Sequence, residues 1–118
     1  MKKITETEMK SILANHKLWV EGNGGKCSGD AFEGADLRGA DFRDANLKFA
    51  MFLGADLRDA DFRNADLVDT WFVDADLRNA NFRNSNLTIA RLMGANIQGA
   101  NFGDAILSGT VFENPPSI

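Results

Sequence analysis

Residues 35–64 read ADLRG ADFRD ANLKF AMFLG ADLRD ADFRN, six frames of five residues with a large apolar residue third in each. The frame runs outward in both directions. From Phe32 to Phe112 every fifth residue is Phe, Leu or Ile, seventeen centres with no insertion or deletion between them. Two residues before the centre stands Ala in thirteen frames, with Asp30, Thr70, Ser85 and Thr110 as the exceptions. Cys27, with Gly25 two before it, continues the register one frame upstream. Self-similarity on this scale decides the architecture before any local propensity is considered.

A five-residue period has a definite geometry. In extended chain, residues two apart point to one side, so the small residue and the centre face inward together. Five is odd, so strict alternation loses phase after one frame, and a bend in every frame restores it. The second residue after the centre then sits at an outward corner, and Gly34, Gly39, Asp44, Gly54, Asp59 and Asn64 are turn residues. A continuous helix is excluded, because a period of five drifts around a 3.6-residue helix and leaves no apolar stripe.

These A-(D/N)-(L/F)-x-x frames resemble the pentapeptide repeat proteins over residues 25–114. The resemblance implies an all-β fold, a right-handed quadrilateral parallel β-helix with four frames per coil. Here that gives a little over four coils and a rod about 20 Å long. The expected division is 1–25 for an N-terminal capping helix and a Gly-rich turn, 26–114 for the β-helix, and 115–118 for a short tail. At twenty residues per coil, Phe32, Phe52, Phe72, Leu92 and Phe112 stack on one side and Phe42, Phe62, Phe82 and Phe102 on the opposite side. Leu or Ile lines the two sides between them. A core built this way needs fillers without polar tips, which accounts for nine Phe and no Tyr.

The first twenty residues lie outside the repeat. Met9, Ile12, Leu13, His16 and then Trp19 or Val20 follow helical spacing. Thr5 with Glu8 fits a capping box, Ile4 with Met9 a hydrophobic staple, and Gly22 a stop. This helix can cover the open end of the coil or lie along one side, and the short Asn23-Gly24-Gly25 connection favours the end. At the other end Asn114-Pro115-Pro116 stops strand pairing. The family resemblance adds a C-terminal contact between copies.

Composition and motifs limit function. With 118 residues, one domain is expected, and a net charge of -4 does not suit a general nucleic-acid binder. One Cys and one His make no metal site, and no phosphate loop or dinucleotide fingerprint is present, so no cofactor is expected. Cys27 falls in an inward slot as a core thiol, His16 is a packed and hydrogen-bonded histidine, and Asp30 makes the first coil irregular. Met1-Lys2-Lys3 opens like a signal peptide, but Glu6, Glu8 and Lys10 interrupt any apolar stretch. The expectation is a bacterial, cytoplasmic, non-enzymatic protein that does not engage membranes.

Two readings of the outer faces follow. Arg38, Arg58 and Arg78 on one side, and Arg43, Arg63 and Arg83 on the next, stand beside Asp36, Asp56, Asp76, Asp41, Asp61 and Asn81. Mutual salt-bridge ladders are the simplest account. The resemblance also implies a second role, because some family members mimic DNA and bind DNA gyrase or a related topoisomerase. Arg among the acids works against an extended negative surface. On the Phe32–Phe112 side the outward positions turn apolar, with Met51, Leu53, Trp71, Val73, Met93 and Val111, and the adjoining corner adds Phe49, Val68 and Ile89. Folding gives no reason for such a patch, so it reads as a protein-binding surface for a partner of unknown identity. Its simplest use is a homodimer through this face, with the C-terminal end as the other candidate.

Overall fold

The computed structural model describes residues 2–25 and 27–112. From Asp36 to Arg91 each residue before a centre forms a parallel bridge with the residue twenty positions later. Asp36 pairs with Asp56, Asp41 with Asp61, Asn46 with Asp66 and Met51 with Trp71, and the four ladders continue down the molecule. The chain therefore coils with four sides and twenty residues per turn. Regular strand is sparse, however. Among the described residues only β1 (Arg91–Leu92) and β2 (Val111–Phe112) form a two-residue pair, and the other contacts are isolated bridges. A turn in every frame leaves about two residues extended before the next corner, too few for a longer strand.

The frame sequence follows from where its main-chain donors go. The Ala60 N–H closes a turn on the Leu57 carbonyl (3.1 Å), and the Asp56 N–H reaches back one coil to Ala35 (3.0 Å). Leu57 and Asp59 donate forward to the carbonyls of Asp76 (2.8 Å) and Arg78 (3.0 Å). Four of five donors are thus met by backbone. The fifth belongs to the residue after the centre, and the Asp or Asn before the centre accepts it. Arg58 N–H donates to Asp56 Oδ1, Val68 N–H to Asp66 Oδ1, and Thr88 N–H to Asn86 Oδ1. Either Asp or Asn serves, because each offers the same acceptor oxygen two residues back.

Each of the sixteen corners from Gly34 to Gly109 has a positive φ. Asn or Asp tolerates that conformation and Gly adopts it freely, which explains the corner composition.

Inside, the two phenylalanine columns stack as expected. Phe52 and Phe72 lie parallel at 5.1 Å, Phe62 and Phe82 at 5.0 Å, and the columns meet edge to face, with Phe52 to Phe62 at 5.9 Å. Each such pair adds about 0.5–1.5 kcal/mol beyond the area it buries. Two hydroxyls in small-residue slots are satisfied by carbonyls. Thr70 Oγ1 donates to Leu47 (2.8 Å) and Ser85 Oγ to Phe82 (2.8 Å).

Helix α1 (Glu6–Val20) starts with the capping box of Thr5 and Glu8. It ends with Gly22 N–H on Trp19 O and Asn23 N–H on Leu18 O, the double closure that a left-handed residue after a helix permits. It lies across the first coil. The Asp36 N–H donates to Lys2 O (2.7 Å), and Ile4, Met9, Ile12 and Leu13 pack on the core. Val20 turns partly inward and Trp19 outward. A short helix α2 (Gly29–Phe32) occupies the first frame, the irregularity expected around Asp30.

Cys27 departs from its expected place. It is exposed, and Ser28 is buried in its stead, because the turn of α2 shifts the chain out of the five-residue register before the first regular frame. Asn114-Pro115-Pro116 and the proposed C-terminal contact lie outside the described residues.

Candidate interaction surface

The sides centred on Leu57 and Phe62 neutralise most of their charge locally, although Arg83, beside Asn81, makes no ion pair among the described residues. Arg38, Arg43, Arg58, Arg63 and Arg78 each lay Nε and Nη2 on the carboxylate two residues earlier, with contacts between 2.6 and 3.2 Å. Longer pairs cross between coils, Arg58 to Asp76 at 3.7 Å and Arg43 to Asp61 at 4.0 Å. The guanidinium hydrogen bonds hold the Asp36 and Asp41 carboxyls down to about 2 and lower those of Asp56, Asp61 and Asp76. Asp44, Asp59, Asp74 and Asp104 sit on three different corners, so they form no continuous acidic column.

His16 is fully buried where the helix meets the coil. Its Nδ1 accepts the Ser28 N–H (3.1 Å), which puts its proton on Nε2, donating to Lys48 O (2.7 Å). Burial pushes its pKa down, against the opposing pull of the Lys48 carbonyl. Both nitrogens hold the helix to the first coil, as expected for a packed histidine. Among the described residues no cluster of His, Cys, Asp or Glu could hold a metal ion, and no helix is long and apolar enough to cross a membrane.

The Phe52 side is built differently. Met51, Trp71, Arg91 and Val111 take the places that Asp or Asn holds on the other sides in every frame but that of Ile106. Consequently the N–H groups of Leu53, Val73 and Met93 have no acceptor among the described residues, although their counterparts on the neighbouring sides do. Phe49 (44%), Ile89 (47%), Met93 (40%) and Val111 (46%) are exposed, while Met51, Leu53, Val68, Trp71 and Val73 are half-buried between them. The Arg91 guanidinium covers the Trp71 ring at 4.2 Å and binds Asp69 at 3.1 Å. The most open part of the patch is therefore the corner of Phe49 and Ile89, with Trp71 beneath Arg91. The end of α1 reaches this corner, where Trp19 meets Phe49 edge-on at 6.2 Å, and leaves Ile89 uncovered.

Sequence reasoning read the Asp columns as partners of Arg and missed their main-chain role. The signal was present in Asn46, Asn86, Asn96 and Asn101, which occupy the same places with no Arg to neutralise.

The model for pentapeptide repeats matches eight copies, over residues 31–64, 40–79 and 75–114. The chain belongs to the pentapeptide repeat family. Among solved structures it is similar to the pentapeptide repeat protein Rfr23 from the cyanobacterium Cyanothece 51142, at 32% identity and a TM-score of 0.65. That match covers 67% of this chain and 54% of Rfr23, so the pentapeptide repeat protein described here spans about half of that relative's length. A pentapeptide repeat protein of the Arabidopsis thaliana thylakoid lumen matches at 30% identity with a TM-score of 0.47, covering 70% of this chain and 61% of the other. The plasmid-mediated fluoroquinolone resistance protein QnrB1 matches at 22% identity and a TM-score of 0.27, covering 65% of this chain and 60% of its own. No curated protein matches the chain.

Proposed function

We propose that this pentapeptide repeat protein is a non-enzymatic, cytoplasmic binding module that holds another protein against the Phe52 side of a right-handed quadrilateral β-helix. The observation carrying this reading is the selective departure of one side from the frame. Three sides place Asp or Asn before most centres and satisfy the fifth main-chain donor, whereas the Phe52 side gives up that bond and presents Met, Trp and Val. Folding is served better by the Asp or Asn pattern, so the apolar side chains are there for contact. The interior supports the same reading, because Phe, Leu and Ala side chains make up its buried core.

Topoisomerase binding by DNA mimicry is the second reading. It calls for free carboxylates in a row, whereas the Asp columns here are tied to Arg and the remaining corner acids are scattered. QnrB1 is too remote in structure to support that role. A gyrase supercoiling assay separates the two. The binding-module reading predicts no inhibition and no protection from quinolones at any dose, and dose-dependent inhibition contradicts it.

A further inference from the structure

We propose that the corner carrying Phe49 and Ile89 is the centre of a side-to-side contact between two copies of this chain. The proposal rests on the binding role of the Phe52 side and names its partner. Of the sixteen positive-φ corners, fourteen hold Gly, Asn or Asp. The other two are Phe49 (φ 64°) and Ile89 (φ 52°), and they share one corner, two coils apart. A bulky or β-branched residue is strained in that conformation, and such strain persists where a side chain serves something other than folding. Ile89 projects into solvent, and Phe49, met at its edge by Trp19 of α1, stays 44% exposed, so the interior gains nothing from either. The loss of the fifth main-chain acceptor on the adjoining side is an independent departure in the same place.

Charge and shape point to a second copy. In a two-fold contact each group meets its own equivalent near the axis, so a face with net charge repels itself. This face cancels its charges locally, Asp69 against Arg91 (3.1 Å) and Lys48 against Asp66 (3.5 Å). Along the corner the order is Phe49, Asp69, Ile89, Gly109. Two copies running antiparallel about the level of Asp69 set Phe49 of one against Ile89 of the other. Interfacial water meets the main-chain donors of Leu53 and Val73, as water does in most interfaces.

The test uses Ile89→Asn in the full chain, since Asn occupies equivalent corners at 64, 79 and 84 with φ of 59–61°. Sedimentation equilibrium of wild type and variant gives the dimer dissociation constant, and thermal melting at concentrations where both are monomers gives fold stability. The expected result is a dissociation constant raised at least tenfold, with a melting midpoint that holds or rises by a few degrees. A wild type that stays monomeric to high concentration overturns the second copy as partner and leaves the supercoiling test of the binding role independent. A dimer unaffected by the substitution places the contact elsewhere. A variant monomer that melts well below wild type makes Ile89 a folding residue. Either result overturns the proposal.

Discussion

Asp56 serves Arg58 twice. Its Oδ1 accepts the Arg58 main-chain N–H at 3.3 Å, and its two oxygens receive Arg58 Nε and Nη2 at 2.8 and 2.6 Å. One nearly buried carboxylate thus completes the hydrogen bonding of its own frame and neutralises the side chain beside it. The two roles separate by substitution. Asp56→Asn keeps the acceptor for the main chain and loses the charged fork, so it costs about 0.5–1 kcal/mol. Asp56→Ala leaves the donor unmet and costs about 1–3 kcal/mol. Urea unfolding of the two variants checks the order, and equal losses would show that the main-chain bond contributes nothing.

Corner glycines differ in what lies above them. A Cβ at Gly54 meets nothing within 4 Å, whereas one at Gly94 collides with Asp74 Oδ1 from the coil above. Both have positive φ, so Ala is strained at each by about 1–2 kcal/mol. Gly94→Ala should cost about 1 kcal/mol more than Gly54→Ala. In an Asp74→Ala background that excess should disappear, which a double-mutant cycle measures.

His16 gives a neutral-to-acid dependence with a defined sign. Its folded pKa is depressed by burial, so the unfolded chain takes up the proton first. Stability is fully present above the ordinary histidine value of about 6.5 and declines as pH falls below it. His16→Ala removes this decline and leaves the Lys48 carbonyl and Ser28 N–H unmet, for a loss of about 2–4 kcal/mol at pH 8. Melting curves between pH 8 and 5 for wild type and variant show whether the pH slope belongs to this residue.

The Asp–Arg columns act in a lower window. Their carboxyls are depressed in the folded state, so they stabilise it above about 4 and lose that contribution as pH falls toward 2. The wild-type midpoint should therefore start to fall below about 6.5 through His16 and fall more steeply below about 4 through these aspartates. In Asp36→Asn the fall below about 4 should be shallower, while the fall above it is unchanged.

The sequence made the coil legible because its period is rigid. Centres such as Phe52 and Leu57 need one shape in every frame, so position alone states that they face inward, and both are fully buried. The register was less informative where the coil begins. Cys27 obeys the spacing but precedes α2, and a single helical turn turned it outward. The apolar residues of the candidate surface were legible as exceptions to the pattern, while the strain at Phe49 and Ile89 was not. That strain depends on φ, which becomes known only when the corner is seen to be left-handed at each frame. Nor does spacing tell that Arg91 closes over Trp71, since that contact joins residues on successive coils.

Val68 and Val73 allow a direct comparison of the two kinds of side. They are the same residue type, follow centres in successive frames and are both half-buried. The Val68 N–H donates to Asp66 Oδ1 at 3.2 Å, whereas Trp71 offers Val73 no such acceptor. Native-state amide hydrogen exchange, read residue by residue in dilute protein, measures what the Phe52 side has given up for contact. The prediction is that Val73 exchanges at least tenfold faster than Val68, and that Trp71→Asp slows Val73 to the rate of Val68. Equal protection of the two valines in the wild-type monomer would contradict the claim that this side departs from the folding pattern.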